Sequence, residues 1–243
     1  MAIRLSKRLT ALADLVTPGH RLADIGTDHG YIPIYLCQKH VIPSAVAMDI
    51  GKGPLQQATA HIGQCGLSDM IETRLSDGLA ALQPGEADTI LIAGMGGGLV
   101  QKILSEGAQV LTGREELILQ PQSEITQVRQ YLRQCGFQIT EEEMILEDGK
   151  YYPMMKVIQQ KKEVFQTDTV SEQMEDAFGP ILLKKRHPVL LEWLERELQT
   201  AQKVCEQLST QPENERITIR MMQVQEKEKM ILEALKRYET ADV

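Results

Sequence analysis

Up to about residue 158, short apolar runs alternate with segments of helical character, and this rhythm constrains the fold more than any other feature. The runs occupy residues 21–25, 45–48, 71–75, 89–93 and 117–119. Between them lie helical segments such as 55–65, 99–104 and 125–135, and a stripe of Leu5, Leu9, Leu12 and Val16 opens the chain with a helix. Strands this apolar are expected to be buried on both faces, which requires a parallel sheet covered by crossover helices. Right-handed crossovers then make the architecture α/β and doubly wound.

The rhythm breaks at 137–146 and 151–158, two strand-like runs joined through Asp148-Gly149 with no room for a helix. Asp-Gly favours a two-residue turn, so the sheet is expected to close with an antiparallel hairpin as its sixth and seventh strands. The polar stretch 159–169 reads as a linker, which divides the chain into an α/β domain, 1–160, and a helical domain, 161–243. The second domain begins with a helix near 170–178, the Gly179-Pro180 break and a short helix ending at Arg186-His187-Pro188. Leu191, Leu194, Leu198, Ala201, Cys205 and Leu208 then follow coiled-coil spacing. Ile217, Met221, Val224, Ile231, Leu235 and Tyr238 nearly repeat it, with Glu228 falling on the seam. Between them Ser209-Thr210-Gln211-Pro212 supplies caps and a helix-start proline, so an antiparallel coiled-coil hairpin is expected.

The composition, 42% hydrophobic and 25% charged, excludes disordered and fibrous classes. No apolar stretch approaches the ~20 residues of a membrane span, and the N-terminus lacks the apolar core and cleavage pattern of a leader. Cys37, Cys65, Cys135 and Cys205 are isolated, so reduced thiols are expected rather than disulfides or zinc. His20, His40, His61 and His187 have no ligand spacing, and no metal is expected. These features point to the cytoplasm. The net charge of −8 argues against nonspecific coating of nucleic acid. It leaves room for a local basic surface, because phosphate attraction reaches only about 8–10 Å at physiological salt.

Asp24-Ile25-Gly26-Thr27-Asp28-His29-Gly30 follows the first strand and opens a helix. Glycines at such a turn admit a ligand to the backbone amides, and the helix N-terminus favours negative charge there. Asp49, followed by Ile50, ends the second strand, where a carboxylate can accept both ribose hydroxyls. Asp77-Gly78 follows the third, where a carboxylate can accept from an adenine amine. Three such loops describe an adenosine-type cofactor site, and Ala93 and Gly94 at the end of the fourth strand are expected to contact the same cofactor. NAD would call for GxGxxG, whose third glycine packs helix on sheet. The loop instead reads D-x-G-x-D-x-G with no evident pyrophosphate cradle, and together with the terminal hairpin this favours S-adenosylmethionine.

The segments DIGTDHGYIP (24–33), AMDIGKGPLQQA (47–58), RLSDGLAAL (74–82) and IAGMGGGLV (92–100) resemble the bacterial tRNA adenine-N1-methyltransferase family that modifies adenine 22 of tRNA. The resemblance spans the catalytic region, and that family also carries a C-terminal coiled-coil hairpin. It implies S-adenosylmethionine as cofactor, tRNA as partner and N1 of adenine as acceptor. No obligatory protein partner follows from it. Asp28 departs from the common D-x-G-x-G-x-G pattern by placing a carboxylate near the expected methyl path. There it can stabilise the cation formed on the ring or accept an amine proton; alternatively it binds loop amides or the cofactor's ammonium. His29 and Tyr31 flank the same loop and can contact cofactor or base, or simply pack.

Gly94-Met95-Gly96-Gly97-Gly98 stands where amino-methyltransferases hold the target base, and the bare loop of Met95, Gly96 and Gly97 can lie against a flipped base. A tight turn alone would also use glycine. Gln120-Pro121-Gln122 ends the fifth strand as a polar wall or a plain connector. For tRNA phosphates, Arg4, Lys7 and Arg8 are expected on one face of the first helix, with Lys184, Lys185 and Arg186 as the densest basic run. Two rivals stand beside this reading: a small-molecule methyltransferase, which needs a lid, and a noncatalytic cofactor-binding module, which would not need Asp24, Asp49 and Asp77 together.

Overall fold

The computed structural model describes residues 3–160, 169–212 and 214–239. The chain divides into two compact units, Met1–Thr167 and Asp168–Val243. The linker expected at 159–169 lies mostly outside the described residues.

In the first unit, α1 (Lys7–Asp14) precedes β1 (Leu22–Ile25), α2 (Tyr31–Gln38), β2 (Ala45–Asp49), α3 (Lys52–Gln64) and β3 (Ile71–Leu75). Then follow β4 (Thr89–Met95), α4 (Gly97–Glu106), β5 (Glu116–Pro121), α5 (Ile125–Gln134), β6 (Phe137–Glu147) and β7 (Lys150–Gln159). The seven strands form one sheet in the order β3-β2-β1-β4-β5-β7-β6. β1 to β5 pair in parallel, and β7 runs antiparallel to both β5 and β6. The doubly wound α/β sheet with a terminal antiparallel hairpin is thus the architecture observed. Asp148 and Gly149, at φ 50 and 73, form the two-residue turn between β6 and β7, the left-handed pair that matches strand twist.

Two apolar clusters sandwich the sheet. Leu12, Ile34, Leu36 and Ile62 cover one face from α1, α2 and α3. Val100, Leu104, Val128 and Leu132 cover the other from α4 and α5. Every residue of β1 is buried, as continuous apolar strands require. The run at 71–75 departs from that expectation. β3 is an edge strand, Glu72 is exposed, and Leu75 is 48% accessible. The connection from β3 to β4 carries no helix; Arg74 braces it by donating to Glu86 (2.8 and 2.9 Å) and to the Ala81 carbonyl (2.8 Å).

In the second unit, Thr169 and Glu172 form a capping box on α6 (Val170–Phe178), and α7 (Pro180–Lys185) follows the Gly179-Pro180 break. The long helices α8 (Pro188–Ser209) and α9 (Glu215–Glu239) pair antiparallel: Lys227 meets Glu197 at 2.6 Å, and the Tyr238 hydroxyl donates to the His187 carbonyl at 3.2 Å. Leu194, Ala201, Val224, Ile231 and Ala234 are buried. The seam carboxylate Glu228 accepts from Gln202. Pro212 does not start α9; Asn214 caps it, accepting from the Ile217 amide at 3.1 Å. No helix among the described residues is long and apolar enough to cross a membrane.

One buried ion pair locks α5 to the hairpin. Arg129 Nε and Nη2 lie 3.0 Å from Glu142 Oε1, with both side chains almost inaccessible. Removing one member leaves a buried charge without that partner, which typically costs about 3–5 kcal/mol. Glu142→Ala should lower unfolding stability by that order in urea titration, and adding Arg129→Met should recover most of the loss.

Candidate active site

The strand order reverses direction at β1, whose neighbours β2 and β4 receive chains from opposite sides, and the carboxyl ends of β1 and β4 open a crevice there. The β1–α2 loop forms one wall. The Gly26 and Thr27 amides both donate to the Met48 carbonyl, at 2.7 and 2.9 Å, which ties the loop to β2. Gly26 has φ +75, and a Cβ there would run into the Met95 methyl. Any other residue would therefore be strained at this φ and would push the Met95 methyl aside. Asp28 also adopts a left-handed conformation, φ 48. The side chain is 65% exposed, and its Oδ2 lies 3.4 Å from His29 Nε2.

Asp24 is only 6% exposed and accepts a 2.6 Å hydrogen bond from the Thr27 hydroxyl. Burial pushes its pKa up to about 6; the Thr27 hydroxyl opposes the shift and the charge of Asp49 adds to it. Asp49 is fixed at the end of β2, where its Oδ1 accepts from the Gly51 amide at 2.7 Å. Ile50 beside it is 68% exposed. Beyond β3, the Ser76 hydroxyl donates to the Gly78 carbonyl and accepts from the Ala81 amide, shaping the turn on which Asp77 stands exposed.

A cleft of about 360 Å³ brings together Asp24, Gly26, Thr27, Asp28, His29, Tyr31, Ala93, Gly94 and Arg8 from the expected residues, with Gln122 of the expected polar wall, and adds Leu9 and Ile32. Gly30, Asp49, Ile50, Asp77 and Gly78 stand outside its lining, on the same loop and on the neighbouring strand ends. The rings of His29, Tyr31 and His61 cluster with centroids 5.1 to 5.5 Å apart. Sequence reasoning left His61 without a role, because nothing local in α3 points to the β1 loop. Among the described residues, no group of His, Cys, Asp and Glu is placed to hold a metal.

The glycine loop differs from the expectation of bare backbone facing a base. Met95 belongs to β4 and packs against the second apolar cluster, and Gly96 caps α4. Gly97 is buried, and a Cβ there would lie 2.5 Å from the Ser123 carbonyl oxygen. The Gly97 amide donates to Ser123 Oγ and the Gly98 amide to Glu124 Oε2. The second half of the run thus serves close packing against the β5–α5 connection. Arg4 also departs from expectation. It precedes α1, whose N-cap is Ser6, so it shares no helix face with Lys7 and Arg8. Arg8 turns into the cleft, while Lys7 is exposed. Lys184, Lys185 and Arg186 are exposed at the end of α7, in the second unit.

A carboxyl whose folded pKa lies near 6, against about 3.9 unfolded, opposes folding once ionised. The penalty is absent below pH 4, grows between about pH 4 and 6, and is complete above that. Asp24→Asn should therefore raise the thermal midpoint of the ligand-free protein at pH 8 by the equivalent of up to about 3 kcal/mol. The gap should close near pH 4; a gap independent of pH would remove the buried charge as its cause.

The family model for tRNA (adenine(22)-N(1))-methyltransferase matches residues 22–233. The Bacillus subtilis tRNA (adenine(22)-N(1))-methyltransferase is 34% identical over 233 residues, covering 96% of this chain and 98% of its own. The crystal structure of the B. subtilis enzyme superposes with a TM-score of 0.83 at 33% identity, over 95% of this chain and 98% of that one. A Streptococcus pneumoniae structure in complex with S-adenosyl-L-methionine has a TM-score of 0.82 at 33% identity, over 96% and 100%. M. capricolum TrmK in complex with S-adenosyl-homocysteine has a TM-score of 0.80 at 27% identity, over 96% and 98%. With the cleft at the β1–β4 divergence, the three acidic strand ends and a match that runs through both units, the chain belongs to the tRNA (adenine(22)-N(1))-methyltransferase family.

Proposed function

We propose that this protein transfers the methyl group of S-adenosylmethionine to N1 of adenine 22 in tRNA. The observation that carries this reading is the buried Asp24 carboxylate in the cleft, a charge that weakens the ligand-free fold and is suited to a cationic ligand. The cofactor's ammonium supplies that cation. The rest of the site fits the same molecule. Gly26 takes the left-handed turn that opens the loop at the cleft, and Thr27, Asp28, His29 and Gly30 continue it. Asp49 and Ile50 suit the ribose end, Asp77 and Gly78 the adenine, and Ala93 and Gly94 line the opposite wall. When bound, S-adenosylmethionine supplies an electrophilic methyl group.

The acceptor nitrogen attacks with its own lone pair, so no base need remove a proton first. Positive charge then develops on the adenine ring. Asp28 is our candidate to meet it, an exposed carboxylate at the cleft whose ion-pair contact among the described residues is with His29. It stabilises that charge or accepts a proton from the exocyclic amine. Tyr31, with the exposed backbone of Gly94 and Gly96 at the end of β4, forms the base-facing side. Gly97 acts behind it by packing. Arg4, Lys7, Lys184, Lys185 and Arg186 serve tRNA phosphates, and the helical unit extends that contact. The protein works in the cytoplasm, where its tRNA substrate is found.

Incubation with unmodified tRNA and labelled cofactor, followed by nucleoside analysis, should yield 1-methyladenosine at position 22; label elsewhere or none would overturn the assignment. Asp28→Asn should lower saturated turnover by roughly 10²–10⁴-fold with little change in cofactor affinity. Weakened cofactor binding with normal turnover would make Asp28 a binding residue instead. A chain ending at Gln160 should keep cofactor binding and lose most tRNA affinity. An unaltered Michaelis constant for tRNA would give the helical unit another task.

A further inference from the structure

Gln122 follows β5 and lines the cleft. It is exposed, and among the described residues its carboxamide has no hydrogen-bond partner. The backbone that carries it is nevertheless fixed. The Gln122 amide donates to the Met95 carbonyl at 2.8 Å. The next two residues dock on the first turn of α4: Ser123 Oγ accepts from the Gly97 amide at 3.3 Å, and Glu124 Oε2 accepts from the Gly98 amide at 2.9 Å. Glu124 keeps that contact from left-handed backbone, φ 53, which is unfavourable for a residue with a Cβ.

Gly94 lies beside this side chain. It drops out of the β4–β5 register between Ala93 and Met95, has φ +78 and is exposed. A Cβ there would lie 3.8 Å from Gln122 Nε2. Bare backbone with an uncommitted carboxamide at its edge suits a flat heterocycle, whose ring can lie on the glycine while its edge meets the amide. Asp24, Asp49 and Asp77 stand at or just past the ends of β1, β2 and β3, so a cofactor held by them occupies that half of the sheet. Gly94 and Gln122 stand at the ends of β4 and β5, across β1, on the side left for an acceptor.

We propose that Gln122 is a specificity-determining residue of the acceptor site, which reads the N6–N7 edge of the target adenine. This rests on the acceptor reading given above. An adenine that reacts at N1 must turn that atom to the methyl group, so N1 is not available for recognition. The adjoining edge keeps an N6–H donor and an N7 acceptor, and a carboxamide matches both, accepting from the first and donating to the second. Guanine presents two acceptors on that edge, O6 and N7, and the same carboxamide satisfies one of them. A neutral amide also suits a base edge better than a phosphate, which calls for a cation.

The test is methylation of tRNA assembled with adenosine or 7-deazaadenosine at position 22, by the parent protein, Gln122→Met and Gln122→Glu. The ratio of kcat/KM for the two substrates in the parent should exceed that in Gln122→Met by roughly 5- to 20-fold, the range for one hydrogen bond lost from a site built to make it. The different N1 basicity of the analogue is common to all three proteins and cancels in this comparison. Gln122→Glu can accept from the amine but cannot donate to N7, and should show the same flattened ratio. Both variants should bind S-adenosylhomocysteine as the parent does in calorimetry, which also shows that they are folded. A ratio unchanged in both variants overturns the proposal, and so does weakened cofactor binding in both, which would put Gln122 in the cofactor site. If the parent forms no 1-methyladenosine at position 22 of the adenosine-bearing tRNA, the acceptor reading itself fails, and the proposal with it.

Discussion

Parallel pairing of β1 with both β2 and β4 is the constraint from which the rest of the molecule follows. A parallel pair cannot be closed by a tight turn, so each connection must cross a face of the sheet. Crossings to the left and right of β1 put α2 and α3 on one face and α4 and α5 on the other. Where the two directions separate, no connection covers the strand ends, and the cleft occupies that gap. The antiparallel β6–β7 hairpin sits beyond β5, where it extends the sheet, with Tyr152 on β7 beside Arg8.

The charges in the cleft are arranged at some expense to the fold. Asp24 is buried with a hydroxyl partner rather than a cation, and its pKa rises to about 6 as a result. Arg8 is held by a neutral amide and an aromatic ring. Elsewhere in the same unit, charges are paired where they meet: Arg21 with Asp88, Arg74 with Glu86, and Arg129 with Glu142. The contrast separates structural charge from charge kept ready for a ligand. Buried or half-buried groups left uncompensated are a mark of functional sites, because the missing partner arrives with the ligand.

The glycine run after β4 shows how one motif divides between the two purposes. Gly94 faces the cleft with Arg8 and Gln122 nearby, whereas Gly97 is glycine because the β5–α5 connection passes too close for a side chain. Four glycines in sequence suggest one continuous bare surface. The backbone turns at Gly96, the N-cap of α4, and sends the last two amides to Ser123 and Glu124.

The sequence by itself determined what depends on local rules. Continuous apolar runs specified buried parallel strands, Asp148-Gly149 specified the closing turn, and of the acids expected at three strand ends Asp24 lines the cleft while Asp49 and Asp77 stand on the neighbouring strand ends. The four helices of the second unit were also legible from their spacing and breaks. Tertiary structure alone decided the destinations of single side chains. Arg8 meets Gln120 across a separation of 112 residues, and His61 reaches His29 across 32. The edge position of β3 likewise came from the strand order and not from its composition. Periodicity and turn chemistry act over a few residues, so they report which face a residue occupies within its own element. What that face meets is set by how the elements stack, and no short window of the chain contains that information.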